Sequence, residues 1–277
     1  MPDELFDVLA FGCFPSERTQ ILETSRPRPT SDIIESAIET AWSRQVDEAR
    51  CNGRLLFNGD LLRYVGHRVD ARDDGPKLLL EVGPTCYRDF VGTNLFNHHR
   101  LAEFGWDRFA NPIGTTATLL TRDGRIVYGR RSDRVAYHAG HVHTFGGALG
   151  PGDRGVDGRI DAFGSVAREL EEEVGLQPSD FEPLICVGIV RDCEIRQPEM
   201  LFETRAHLDS AELVRRWENA TARDEHSDLV WLENDPAAIV PFVRSCGLIA
   251  PVAVAGLMLH ARQVWGEDWY LATVRQL

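Results

Sequence analysis

Residues 168 to 176 read Arg-Glu-Leu-Glu-Glu-Glu-Val-Gly-Leu, with Glu169, Glu171, Glu172 and Glu173 crowded into five positions. On an isolated helix, like charges three or four residues apart cost roughly 0.2–0.5 kcal/mol per pair. At about 100° per residue, Phe163, Val166, Ala167, Leu170 and Val174 share one side of a helix, and Glu169, Glu172 and Glu173 cluster on another. The apolar side is expected to pack on a sheet. The three carboxylates then converge on one exposed patch suited to a hard divalent cation, which takes oxygen ligands and keeps several waters. Mg²⁺, or Mn²⁺ in its place, would offset the repulsion. Arg168 lies four residues before Glu172 and can hold a carboxylate, while Gly175 ends the helix. Most acid-rich helix faces are simply solvated. This one follows a strand and a glycine-rich loop, "FGGALGPGD".

The elements that must position this helix belong to a chain of 277 residues, long enough for one large or two modest domains. Thirty Lys and Arg against 43 Asp and Glu give a net charge of −13. That balance argues against a nucleic-acid backbone or an anionic membrane as partner, and an anionic substrate would need a cation to bring it in. The six cysteines show no C-x-x-C pair and read as reduced thiols. The opening "MPDELFDVLAF" lacks the basic and long apolar regions of a secretory signal, so the expected location is cytoplasmic. "GLIAPVAVAGLML" is too short and interrupted to span a bilayer and reads as a buried helix.

The character of the chain changes near Asn111-Pro112, which divides it into residues 1–110 and 111–277. The first part reads as a small α+β unit: a strand at "DVLAFGCF", a helix opened near Asp32 with Glu35 at capping-box spacing, a hairpin turning at Asn58-Gly59, and a strand at "PKLLLEV". The second part opens with a hairpin turning at Asp123-Gly124. It continues through "VHTFGGAL", a helix over about Asp161–Val174, strands "LICVGIVRD" and "MLFETRAHL", a short helix, strand "DLVWLE" and two C-terminal helices. That order predicts an α/β (α+β) fold with a mixed sheet flanked by helices.

Residues 168–176 resemble the second half of the Nudix box, R-E-U-x-E-E-x-G-U with U apolar. The first half fits only with an insertion. Aligning Gly146-Gly147 with the usual double glycine puts Asp153 at the acid position and the extra residues in "RGVDGRID". Gly150 replaces an acid that many members carry in this loop. The resemblance implies an α/β/α sandwich and hydrolysis of a nucleoside diphosphate linked to another moiety. It makes Glu169, Glu172 and Glu173 the metal ligands, has Arg168 orient a glutamate, and places Glu225, just before a late strand, as a further ligand or base. For Glu225 alone a solvated loop acid is an equal reading.

"GPTCYRDFVGTN" followed by "NPIGTTATLLTRDGRIVYGRRS" resembles the eukaryotic Nudix branch that cleaves UDP-glucose and UDP-galactose. What this implies is Mg²⁺-dependent hydrolysis of a UDP-hexose to UMP and hexose 1-phosphate. Tyr87, Asp89, Thr93 and Asn94 are candidate contacts to uracil or sugar hydroxyls, although the same segment can be a helix start packed by its aromatics. Arg130 and Arg131 are candidate diphosphate contacts, of which strand alternation turns one toward the site. Gly146 and Gly147 complete the expected substrate site. His138, His141 and His143 suggest zinc only weakly, because no fourth ligand matches their spacing. The alternatives are hydrolysis of another nucleotide derivative such as ADP-ribose, and a Nudix-fold module that binds a nucleotide sugar without turnover.

Overall fold

The computed structural model describes residues 5–53, 56–71, 75–133 and 138–277. The strands among them are β1 (Phe6–Phe14), β2 (Thr19–Glu23), β3 (Asp60–Asp70), β4 (Lys77–Cys86), β5 (Gly114–Leu120), β6 (Arg125–Arg131), β7 (Val142–His143), β8 (Phe145–Ala148), β9 (Ile185–Asp192), β10 (Pro198–Arg205) and β11 (His226–Glu233). The helices are α1 (Asp32–Cys51), α2 (Tyr87–Phe90), α3 (Leu101–Phe104), α4 (Ala162–Val174), α5 (Ser210–Trp217), α6 (Ile239–Ser245), α7 (Pro251–Trp265) and α8 (Glu267–Val274).

Eight strands make one mixed sheet in the order β1-β9-β10-β5-β6-β11, with β8 paired to β5 and β7 to β6. Only β10 and β5 run parallel on that path. Alternation along the strands separates two faces. Ala117, Leu119, Val127, Met200 and Phe202 pack with Val166, Leu170 and Val174 of α4. Leu120, Ile126, Tyr128 and Leu201 pack with α7, whose residues Val252–Ala261 are all buried. A sheet with an apolar helix on each face is the expected sandwich. The stretch "GLIAPVAVAGLML" is apolar all round because α7 is enclosed all round. No helix among the described residues is long and apolar enough to cross a membrane.

Residues 1–110 do not close on themselves at the expected division. β1 leaves them to pair with β9 at the edge of the large sheet. β2, β4 and β3 form a second, three-stranded sheet, and its Leu62, Tyr64, Leu78, Leu80 and Val82 join the same core cluster as α4. The start of β3 is stitched to the large sheet by backbone bonds from Leu62 N to Leu149 O and from Ile113 N to Leu62 O.

Three local expectations differ. Asn58-Gly59 turns no hairpin, since residues 56–59 are irregular and β3 pairs with β4; part of the preceding apolar run lies outside the described residues. Asn58 instead caps α2 from a distance, its Oδ1 accepting from Arg88 N at 2.7 Å. α1 starts after Ser31 without a side-chain cap, and Glu35 accepts from Thr30 Oγ1 and Arg28 rather than closing a capping box. The C-terminal region holds three helices, because Gly266 at φ 87° breaks what reads as one run into α7 and α8.

Candidate active site

Helix α4 is fixed at both ends. Asp161 Oδ1 accepts from Gly164 N at 2.9 Å, and Gly175 closes the helix in the left-handed region at φ 76°. The apolar side is where the sequence puts it, with Phe163 edge-on to Phe202. The acidic side is not uniformly exposed. The Glu172 side chain is half-exposed and Glu169 is 19 % exposed, whereas Glu173 is 1 % exposed. Glu173 follows Leu170 by three residues and so turns toward the sheet rather than toward solvent.

What receives Glu173 is the double glycine of β8. Gly146 N donates to Glu173 Oε2 at 3.0 Å. Gly146 has φ 155°, and a Cβ there would stand 2.0 Å from the Thr115 carbonyl oxygen. A Cβ on Gly147 would stand 2.8 Å from Glu169 Oε1. Glycine at 146 is required by the close approach of the β5 backbone, and glycine at 147 by the Glu169 carboxylate.

Glu225 arrives from the other side, in a 3₁₀ turn at Arg223–Glu225 just before β11. That turn is tied to α4 by Ala222 N donating to Glu172 O at 2.7 Å, and to the end of β6 by Ser132 N donating to Glu225 O at 2.8 Å. Burial pushes the Glu173 carboxyl well above its ordinary range, with Glu169 and Glu225 adding to the push and Arg131 opposing it. Glu169 is raised by burial and by Glu172, Glu225 and Asp153, against Arg168. Glu225 is raised by burial and by Asp224 and Glu172, again against Arg131. Glu169, Glu172, Glu173, Glu225 and Arg131 therefore share one electrostatic neighbourhood.

Arg168 spans Asp153 Oδ1 and Glu169 Oε1, both at 3.0 Å, with Glu172 at 3.9 Å. Asp153 also accepts from Gly150 N at 2.7 Å, so it braces Arg168 and the loop. The inserted loop is fastened to the small sheet by Arg154, which makes a fork of 2.7 and 2.9 Å to Glu23. Strand alternation turns Arg131 toward the acidic cluster, while Arg130 turns to the other face and donates to Gly140 O at 3.1 Å.

The N-terminal candidates are arranged differently. Thr93 and Asn94 are fully buried and spend their polar atoms internally. Thr93 Oγ1 donates to Asp89 O and accepts from Ala110 N. Asn94 Nδ2 donates to Asn111 Oδ1 and Ile195 O, while Asn94 Oδ1 accepts from Asn111 N. Asp89 pairs with Arg28 at 2.8 Å, and Tyr87 packs against Trp42 and Phe90. Thr93 and Asn94 knit the segment to the Asn111 junction and to the β9–β10 turn, while Tyr87 and Asp89 tie it to α1 and to Arg28.

No family model matches the chain. A protein of Arabidopsis thaliana, Nudix hydrolase 9, is 29% identical over 257 residues, covering 79% of this chain and 78% of its own. The human uridine diphosphate glucose pyrophosphatase NUDT22 is 34% identical over 207 residues, covering 65% of this chain and 66% of its own. The protein of that name from Bos taurus is 27% identical over 261 residues, covering 86% of this chain and 87% of its own. The chain belongs to the Nudix hydrolase superfamily. It is a Nudix hydrolase in which the box helix, the double glycine and the late acidic turn come together.

The donor set of this Nudix hydrolase fits a divalent cation. Carboxylates that raise one another's pKa are held within range, and a cation would relieve that repulsion. Among the described residues no three His, Cys, Asp or Glu groups are already drawn into a closed cage. His138 stacks on His141 at 4.7 Å, and His143 Nδ1 lies 2.7 Å from Thr144 O.

Two residues of the Nudix hydrolase escaped sequence reasoning. His226 is fully buried edge-on to Phe145, its ring fills the space a Cβ on Gly129 would need, and among the described residues neither ring nitrogen has a hydrogen-bond partner. Burial and the Arg131 charge hold it neutral, with its pKa lowered to about 4. Glu199 lies on the α7 side of the sheet, its carboxylate across Gly114, where a Cβ would stand 1.9 Å from Oε2. Burial, reinforced by Asp192, pushes its pKa up to about 8. The pairing of Glu199 with Gly114 is disclosed only by the strand register, so the sequence offered no signal for it.

Glu199 has a checkable consequence. Between its ordinary value of 4.5 and about 8 the unfolded chain ionises it while the folded chain keeps it protonated. Its contribution to stability is therefore complete below pH 4.5 and is lost as pH rises through about 8. Glu199→Gln should flatten the fall in melting temperature over that window, measured with EDTA present. Parallel curves for the two proteins would remove Glu199 as the cause.

Proposed function

We propose that the protein hydrolyses the diphosphate of a UDP-hexose, UDP-glucose or UDP-galactose, to UMP and hexose 1-phosphate. The observation that carries this reading is the extent of similarity: the match to the bovine uridine diphosphate glucose pyrophosphatase covers 86% of the chain, so it reaches well into residues 1–110 and is not confined to the box. A divalent cation, Mg²⁺ or Mn²⁺, held by Glu169 and Glu173 with Glu172 and Glu225 beside them, would neutralise the diphosphate and lower the pKa of the attacking water. Arg131 offers a guanidinium fork to phosphate oxygens from the facing strand. Arg168, braced by Asp153, holds Glu169 in place. Water adds to one phosphorus, the bridging oxygen leaves with the other, and a carboxylate of the cluster takes the proton. Tyr87, the partly buried Asp89 and the buried Thr93 and Asn94 would hold the wall of the nucleotide-sugar pocket. All six cysteines are free thiols, in keeping with a cytoplasmic setting.

The test is a panel of nucleotide sugars and ADP-ribose, with and without Mg²⁺ and with products identified. UMP and hexose 1-phosphate formed only with metal, and faster from UDP-hexoses than from any adenine nucleotide, is the expected result. Preferential cleavage of ADP-ribose, or tight binding of UDP-glucose with no products, would overturn the assignment.

A further inference from the structure

Arg63 lies in β3, where Leu62 and Tyr64 face the core cluster and alternation turns Arg63 to the opposite face of the small sheet. It is 6 % exposed. Among the described residues no hydrogen bond or ion pair reaches its guanidinium, and Nε is enclosed without a partner. Asp107 and Glu81 favour the charge of Arg63, but from beyond ion-pair distance. Burial works against its charged form, and so do Arg28 and Arg26. Both of these are already paired, Arg28 with Asp89 and Glu35 and Arg26 with Glu81. An arginine cannot escape by losing its proton, and an unpaired buried cation is among the most costly arrangements in a folded chain.

We propose that Arg63 is the base of an oxyanion subsite in the N-terminal segment, taking a phosphate group against its guanidinium with Arg26 at the rim. The Arg26 side chain is 73 % exposed and opens this region to solvent. A guanidinium fork matches phosphate oxygens, and an entering dianion would supply the partner that Arg63 lacks. The subsite lies on the opposite side of the small sheet from the core shared with α4. It is linked to the TCYRDFVGTN segment through the next residue, since Tyr64 N donates to Asn111 O and Asn111 holds Asn94.

The experiment is a melting-temperature titration in EDTA, so that the acidic cluster holds no metal, using inorganic phosphate against chloride at equal ionic strength. Wild type should rise with the logarithm of phosphate concentration. Arg63→Met should show no phosphate-dependent rise and should melt at or above wild type without phosphate, because it removes an unpaired buried charge. Glucose 1-phosphate in a second arm separates the sources: a larger shift than with phosphate identifies a sugar phosphate as occupant, and an equal shift identifies free phosphate. Arg63→Lys keeps the charge without the fork and should bind phosphate several-fold more weakly by ³¹P line broadening, a readout that stands if Arg63→Met fails to fold. No phosphate effect on wild type, an undiminished effect in Arg63→Met, or identical titrations for Arg63→Lys and wild type would each overturn the subsite. These readouts do not depend on turnover, so they stand or fall apart from the UDP-hexose assignment.

Discussion

Glu173→Gln is expected to yield a folded protein whose turnover of UDP-glucose at saturating Mg²⁺ is lower by about 10²–10³-fold, the range found when one electrostatic contact to developing charge is removed. The substitution keeps the volume of the side chain and an oxygen for Gly146 N to donate to. It takes away the negative charge that a cation would use. Because Glu173 is buried and its carboxyl is already pushed toward the neutral form, the amide should melt no lower than wild type in EDTA. Added Mg²⁺ should then raise the melting temperature of wild type more than that of the variant. Turnover within a few-fold of wild type would remove Glu173 from the metal site. A large drop in melting temperature would instead make its role one of packing.

Gly146→Ala should have the largest effect on stability. Its Cβ would meet the Thr115 carbonyl oxygen at 2.0 Å, a backbone atom that cannot rotate away, and φ 155° is a conformation that L side chains rarely adopt. Backbone strain of about 1–3 kcal/mol adds to a similar cost for overpacking. For a chain of this size each kcal/mol lowers the melting temperature by roughly 2–4 °C. Activity should fall further than the folded fraction does, since relieving the clash moves Gly146 N away from Glu173. Gly152→Ala is the control: its Cβ would meet nothing within 4 Å, and it should leave both stability and rate unchanged. Equal behaviour of the two variants would show that β8 is free to shift and that the close approach is incidental.

Much of this site was legible without coordinates. The phase of α4 followed from Val166, Leu170 and Val174 recurring at helical spacing. Its end followed from Gly175, and the hairpin from Asp123-Gly124, because these signals depend on residues only a few positions apart. The run 168–176 fixed which side chains are acidic and which are apolar. Its resemblance to the Nudix box pointed to the family, and its carboxylates at those spacings suit a hard cation.

Tertiary structure decided what depended on distant partners. Whether Glu173 is exposed turns on β8 passing beneath it, twenty-seven residues earlier in the chain. Asn58-Gly59 carries a strong turn signal, yet Asn58 caps α2, and β3, which follows it, pairs with β4 instead. The division at residue 110 looked clean in composition, but β1 needed a partner for its backbone groups and found β9. Thr93 and Asn94 read as ligand contacts because polar residues beside aromatics suit a pocket. Buried polar groups must be satisfied, and Asn111 and Ile195 satisfy them from within. Local sequence determines the period, the caps and the chemistry of each element, whereas burial and pairing are properties of two segments at once, and no single stretch of residues contains them.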